Sequence, residues 1–136
     1  MRIVLDTNVL LSAILPDSVH HWIYQGVFNG DFILCVSTDV LSEYAELLER
    51  FYGRNISENV LSALLYSPFV ERFSPSYFWS MIIQDPDDNK FVDCAIASSS
   101  HYIITSDKHF KILEQISFPK VITIKPEKFK DLIYGS

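Results

Sequence analysis

Apolar residues fall into two kinds of run along this chain. In one kind, short blocks are apolar at nearly every position: "RIVL", "FILCV", "YIITSD" and "KVITI" have the profile of strands buried on both faces, and "FVERF" adds a fifth candidate. In the other kind the apolar positions recur at helical spacing. "NVLLSAIL" reads as a short helix ended before Pro16, "SVHHWIYQGVF" as a second helix closed by the turn chemistry of "NGD", and "STDVLSEYAELLERFY" as a long helix with Ser37 or Thr38 as N-cap. "SENVLSALLYS" gives a helix stopped at Pro68, "DPDDNKFVDCAIASSS" a capped helix, and "PEKFKDLIYG" a terminal helix with Pro126 in its first turn. Strands alternating with helices predict an α/β domain of three layers, a central parallel β-sheet flanked by helices. The loosest stretch is "FSPSYFWSMIIQDPDD", where Tyr77, Phe78 and Trp79 are assigned to the core in preference to a partner surface.

Composition narrows the class. The 136 residues, 49% hydrophobic and 21% charged, suit one domain over 1–136 with a core that needs no disulfide. Apolar runs such as "VLLSAIL" fall well short of the about 20 residues that span a bilayer. Arg2 followed by Asp6 does not read as a signal peptide, which leaves the cytoplasm as the expected location. Cys35 and Cys94 lie in apolar segments without metal-ligand spacing and are expected in the core, and the four histidines form no cluster in sequence. Net charge is −6, which argues against binding polyanions through overall charge. The distribution is uneven: residues 1–89 carry four basic and twelve acidic side chains, whereas residues 90–136 carry seven lysines against five acids. A polyanion is therefore expected to meet the C-terminal part.

Certain acids stand where the pattern asks for core. Asp6 ends the first strand and Asp107 ends "YIITSD", so both are placed beyond the carboxyl ends of parallel strands, where open sheets of this class carry their functional crevice. Taking about 100° per residue, Val40, Leu41, Tyr44, Leu47, Leu48 and Phe51 form one apolar stripe, with Glu43 at its edge and Glu46 and Glu49 further out. In the helix after "DPDD", Phe91, Val92, Ala95 and Ile96 define the buried arc. Asp88 sits at its centre, and Asp93 falls outside it by about 60°. One of Asp85, Asp87 and Asp88 suffices as N-cap. Four acids, Asp6, Glu43, Asp88 and Asp107, thus converge. Like charges in one cleft repel unless a cation is bound, and an all-oxygen ligand set selects Mg²⁺ or Mn²⁺ over zinc.

The segments "IVLDTNVLLSAIL", "VSTDVLSEYAELL" and "DPDDNKFVDCAIASSSHYIITSDKHF" resemble, in order and spacing, the acidic motifs of PIN domains, and most closely the VapC-like toxins of toxin–antitoxin pairs. The resemblance covers nearly the whole chain. It implies a Rossmann-like parallel sheet and a Mg²⁺- or Mn²⁺-dependent ribonuclease with Asp6, Glu43, Asp88 and Asp107 as metal-binding and catalytic acids. Asp93 is the second choice for the third position. Asn8, Thr105 and Ser106 are implied as supporting polar residues. Lys90, Lys108 and Lys111 are the basic residues expected nearest the acids, in contact with single-stranded RNA. An antitoxin protein and a homodimer are the expected partners. Two rivals stand beside this reading. A haloacid-dehalogenase-like phosphatase needs a second Asp two residues after the first, and here that position is Asn8. A PIN-like RNA- or protein-binding module would retain the acids without turnover.

Overall fold

The structure is a computed structural model that describes residues 1–83 and 85–135; positions 84, within the loose stretch, and 136 lie outside the description. In chain order the elements are β1 (Arg2–Leu5), α1 (Thr7–Ala13), α2 (His21–Asn29), β2 (Ile33–Val36), α3 (Thr38–Tyr52), α4 (Arg54–Tyr66) and β3 (Val70–Arg72). A 3₁₀ turn at Pro86–Asp88 then leads into α5 (Asn89–Ser98), β4 (Tyr102–Ile104), a 3₁₀ segment at Lys108–Gln115, β5 (Thr123–Ile124) and α6 (Pro126–Tyr134). The strands form one sheet in the order β3-β2-β1-β4-β5, every pair parallel. Helices pack over it, which is the α/β arrangement that the alternating pattern predicts.

Residues 3–5, 34–36, 103 and 104 are fully buried, as strands covered on both faces must be. Cys35 and Cys94 are buried free thiols, and burial pushes the Cys94 thiol up to about 12. Ser37 rather than Thr38 caps α3, its Oγ accepting the Val40 N–H at 3.2 Å. Gly30 ends α2 at φ +78°, and a Cβ there would stand 2.7 Å from the Phe69 ring, so both backbone and space require glycine.

Several expectations need correction. Phe51, placed on the buried stripe of α3, is 62% exposed, near the end of a helix that packs mainly on α4, α1 and α5. Tyr77 and Phe78 are exposed and Trp79 is half-buried, so this aromatic cluster lies over the core; the residue of the loop that enters the core is Ile82, 2% exposed. The strand predicted in "KVITI" pairs only at Thr123 and Ile124. The capped helix at "DPDD" begins as a 3₁₀ turn, and α5 proper starts at Asn89. Helix α5 is also buried more widely than a single arc: Asp93, Cys94 and Ser98 are covered while Ile96 is half-buried. It is packed against β1, β2, β4 and α3, and the loop carrying Trp79 crosses its remaining face.

Candidate metal centre

Consecutive strands run to opposite sides of β1: β2 lies on one flank and β4 on the other. A crevice opens at such a switch point beyond the carboxyl ends of the strands. Asp6 follows β1 and donates its backbone N–H to Ile104 O at 3.1 Å, locking the ends of β1 and β4 together. Its side chain is buried, and Oδ2 accepts the Thr105 hydroxyl at 2.8 Å. The same Thr105 Oγ1 accepts the Asp107 backbone N–H at 3.0 Å, so one buried hydroxyl sets two acidic residues relative to each other. The Asp107 Oδ1 in turn accepts the His109 N–H at 2.9 Å, starting the 3₁₀ segment.

The third contributor comes from α3. The Tyr44 hydroxyl, fully buried, donates to Leu5 O at 2.6 Å and pins this helix to the end of β1. That anchor brings the preceding residue, Glu43, into the crevice. Glu43 is already paired: Lys90 Nζ meets its Oε1 at 2.9 Å, and the Thr7 hydroxyl donates to Oε2. Lys90, expected as an RNA contact, is thus committed to Glu43 and only 23% exposed. The local charge of the acids drew the nearest amine inward.

The fourth contributor is Asp88, 8% exposed, delivered by the turn at 86–88. Asn89 fixes that turn by clamping Ile82: the Ile82 N–H donates to Asn89 Oδ1 at 2.7 Å, and Asn89 Nδ2 donates to Ile82 O at 2.9 Å. Asp93 does not join the crevice. Its Oδ1 accepts the Trp79 N–H at 3.0 Å, tying down the aromatic loop. One cleft of about 320 Å³ is therefore lined by Asp6, Glu43, Asp88 and Asp107 together with Thr7, Asn8, Asp85 and Asp87, and on its α3 side by Glu46, Leu47 and Arg50. Asn8 and Ser106 are exposed, and with Asp6 and Asp107 they line a neighbouring cavity. Lys108 and Lys111 flank an adjoining groove of about 540 Å³ whose apolar walls are Ile82, Ile83 and Ile112.

Electrostatically the cleft is under strain. Burial pushes the Asp6 carboxyl up to about 6, repulsion from Asp107 and Glu43 adds to it, and the Thr105 hydrogen bond opposes it. Burial likewise pushes Asp88 up to about 7, with repulsion from Asp85, Asp107 and Asp6, and His109 opposing. Asp88 Oδ2 is buried and finds no hydrogen-bond partner among the described residues. A buried, unpaired carboxylate oxygen surrounded by further carboxylates is the donor chemistry of a hard divalent cation, so the residues present fit such an ion. Two residues beside the four acids escaped the sequence reading, Asp85 and His109, whose ligand atoms lie with that of Asp88 within 4.8 Å of one another. Asp85 reads in sequence as a spare cap. His109 has no metal-ligand spacing to another histidine or cysteine, and nothing local in sequence sets it beside Asp85 and Asp88.

Comparison with known proteins follows the same lines. The family profile described as "PIN domain" matches residues 2–109. The uncharacterized protein MJ1680 of Methanocaldococcus jannaschii is 28% identical over 116 residues, covering 79% of this chain and 72% of that protein. A chain in the crystal structure of VapBC2 from Rickettsia felis, bound to a DNA fragment from their promoter, superposes with a TM-score of 0.65 at 18% identity, covering 92% of this chain and 98% of that one. The matched profile spans both strand-end aspartates, Glu43 and Asp88, and on that match the chain belongs to the PIN domain family.

Proposed function

We propose that this protein is a Mg²⁺- or Mn²⁺-dependent ribonuclease, a single PIN-like domain over 1–136 that acts in the cytoplasm as the toxin of a toxin–antitoxin pair. The observation that carries the reading is the unpaired, buried Asp88 Oδ2 in a cleft shared with Asp6, Asp107 and Glu43. Asp6, Asp88 and Asp107 would hold the cation. The chemistry supplied by a divalent cation at such a site is neutralisation of phosphodiester charge and acidification of a water. Thr105 orients Asp6 and Asp107 through its single hydroxyl. Glu43, charge-paired with Lys90 and hydrogen-bonded by the Thr7 hydroxyl, is the acid with least free capacity, and it acts by holding Lys90 at the edge of the cleft. Single-stranded RNA enters along the groove beside His109: Lys108 and Lys111 meet phosphates, and the exposed Ile83 and Ile112 offer an apolar wall to a base.

Partner binding is proposed at the exposed aromatic loop. Tyr77, Phe78 and Ile83 are 61%, 69% and 87% exposed, an apolar surface suited to an antitoxin or to a second copy in a homodimer. The structural neighbour from a VapBC2 complex supports looking for a partner of the antitoxin kind. One observation favours the rival reading of a binding module without turnover, the closed Lys90–Glu43 pair, since it removes one acid from service. Purified protein and its Asp6→Asn variant, incubated with single-stranded RNA in Mg²⁺ or Mn²⁺, separate the two. A nuclease loses cleavage in the variant, whereas a module cleaves in neither form and binds RNA equally in both.

A further inference from the structure

Resting on the metal-dependent reading of the cleft, we infer that Asp85, Asp88 and His109 form a second cation position beside the four acids, one that takes a divalent transition ion through a nitrogen ligand. His109 Nδ1 is a buried atom with no hydrogen-bond partner among the described residues. Three carboxylate oxygens surround it: Asp85 Oδ2 at 3.6 Å, Asp88 Oδ2 at 3.6 Å and Asp107 Oδ1 at 3.5 Å. None is close enough for a good hydrogen bond. Two ligand atoms each about 2.1 Å from one ion, at roughly 90° to 110°, stand about 3.0–3.4 Å apart, so the observed spacing is nearer to shared coordination than to direct bonding.

A second orphaned atom belongs to Asp88. This residue is 8% exposed, and its Oδ2, the atom that faces His109, is itself unpartnered. Two orphaned polar atoms of opposite elements, nitrogen and oxygen, point at the same gap. Asp88 lines the four-acid cleft as well, which makes it the ligand common to both positions. Backbone geometry holds the set together: the His109 N–H is fixed by Asp107 Oδ1, and the Asp88 N–H donates to Asp85 O at 3.0 Å. Imidazole is a poor ligand for Mg²⁺ and a good one for Mn²⁺, Co²⁺, Ni²⁺ and Zn²⁺. The expectation of an all-oxygen site, drawn from a sequence without clustered histidines, therefore gives way here to mixed oxygen and nitrogen donors.

The test uses the tag-free chain titrated with Mn²⁺ and read by electron paramagnetic resonance, with spin-echo modulation reporting ¹⁴N coupling from a directly bound imidazole. Wild type is expected to show that coupling, and His109→Gln to lose it with an about tenfold or greater loss of Mn²⁺ affinity at that position. Mg²⁺ affinity by calorimetry is expected to stay within about twofold in His109→Gln, and Asp6→Asn to retain the nitrogen coupling. Mn²⁺ bound without ¹⁴N coupling in wild type overturns the inference, as does coupling that survives in His109→Gln and so arises from His20, which lines a cavity with Asp6. Either result leaves the four-acid reading standing. No Mn²⁺ bound at all would overturn both.

Discussion

Replacing Asp6 by Asn should stabilise the metal-free protein while destroying its site. Asp6 carries its carboxyl at about 6 against an ordinary 3.8, through burial and the neighbouring Asp107 and Glu43. Because folding raises this value, the folded chain holds the proton more tightly than the unfolded chain. The contribution of Asp6 to stability is thus most favourable below about pH 4, falls as pH rises through about 6, and stays low above it. The full penalty for ionised Asp6 is about 3 kcal/mol. Asn removes the charge, keeps an oxygen for the Thr105 hydroxyl and turns an amide donor toward the remaining acids, so ~1–3 kcal/mol should be recovered after imperfect fit is allowed for. For a chain of this size that is a rise in Tm of about 3–10 °C. Thermal or urea melts in chelator from pH 4 to 8 measure it. The gap should vanish near pH 4 and be complete by pH 7.5. With Mg²⁺ or Mn²⁺ at about 100 times its Kd, wild type should gain about 2.7 kcal/mol and Asp6→Asn far less. A variant less stable than wild type at pH 7.5 in chelator, or a gap independent of pH, would refute the reasoning.

Further substitutions test neighbouring steps. Asp88→Asn should abolish RNA cleavage, and Asp93→Asn should leave it substantially intact while exposing the Trp79 loop to limited proteolysis, since Asp93 holds that backbone and does not line the cleft. Thr105→Val should cost about 1–3 kcal/mol in denaturant melts and push the Asp6 carboxyl higher still by carbon-detected NMR titration, because the lost hydroxyl is the larger of the two hydrogen-bond donors that lower it. Lys108→Glu with Lys111→Glu should weaken RNA binding and flatten its salt dependence by about 1.4 in log–log slope, two single-strand phosphate contacts; unchanged affinity would move the binding surface elsewhere.

The inner strands β1, β2 and β4, with α3 and α6, were legible because burial on both faces, helical period and terminal Pro or Ser signals agree for them. Helix α5 was harder. Phase analysis assumes one buried face, and it placed Asp93 outside the arc because it had no means of knowing that a loop fourteen residues upstream would return to cover that face. Phe51 and the aromatic loop failed for the converse reason, since apolar identity predicts burial only where an element has a neighbour to pack on. Within the site, Asp6 and Asp107 are strand-end residues, and position alone marks them. The pairing of Lys90 with Glu43 spans 47 residues of sequence, and no local pattern carries it. His109 needed the fold to bring it beside Asp85 and Asp88.

The most direct measurement is the end chemistry of the products when purified protein meets a defined single-stranded RNA. With Mg²⁺ or Mn²⁺ present, mass spectrometry should find simple hydrolysis, one water added per bond broken, with no 2′,3′-cyclic phosphate, and both chelator and Asp6→Asn should stop the reaction. Cleavage that persists in chelator, or that leaves cyclic phosphate ends through attack by the ribose 2′-hydroxyl, would contradict a metal-dependent hydrolysis at this cluster of acids.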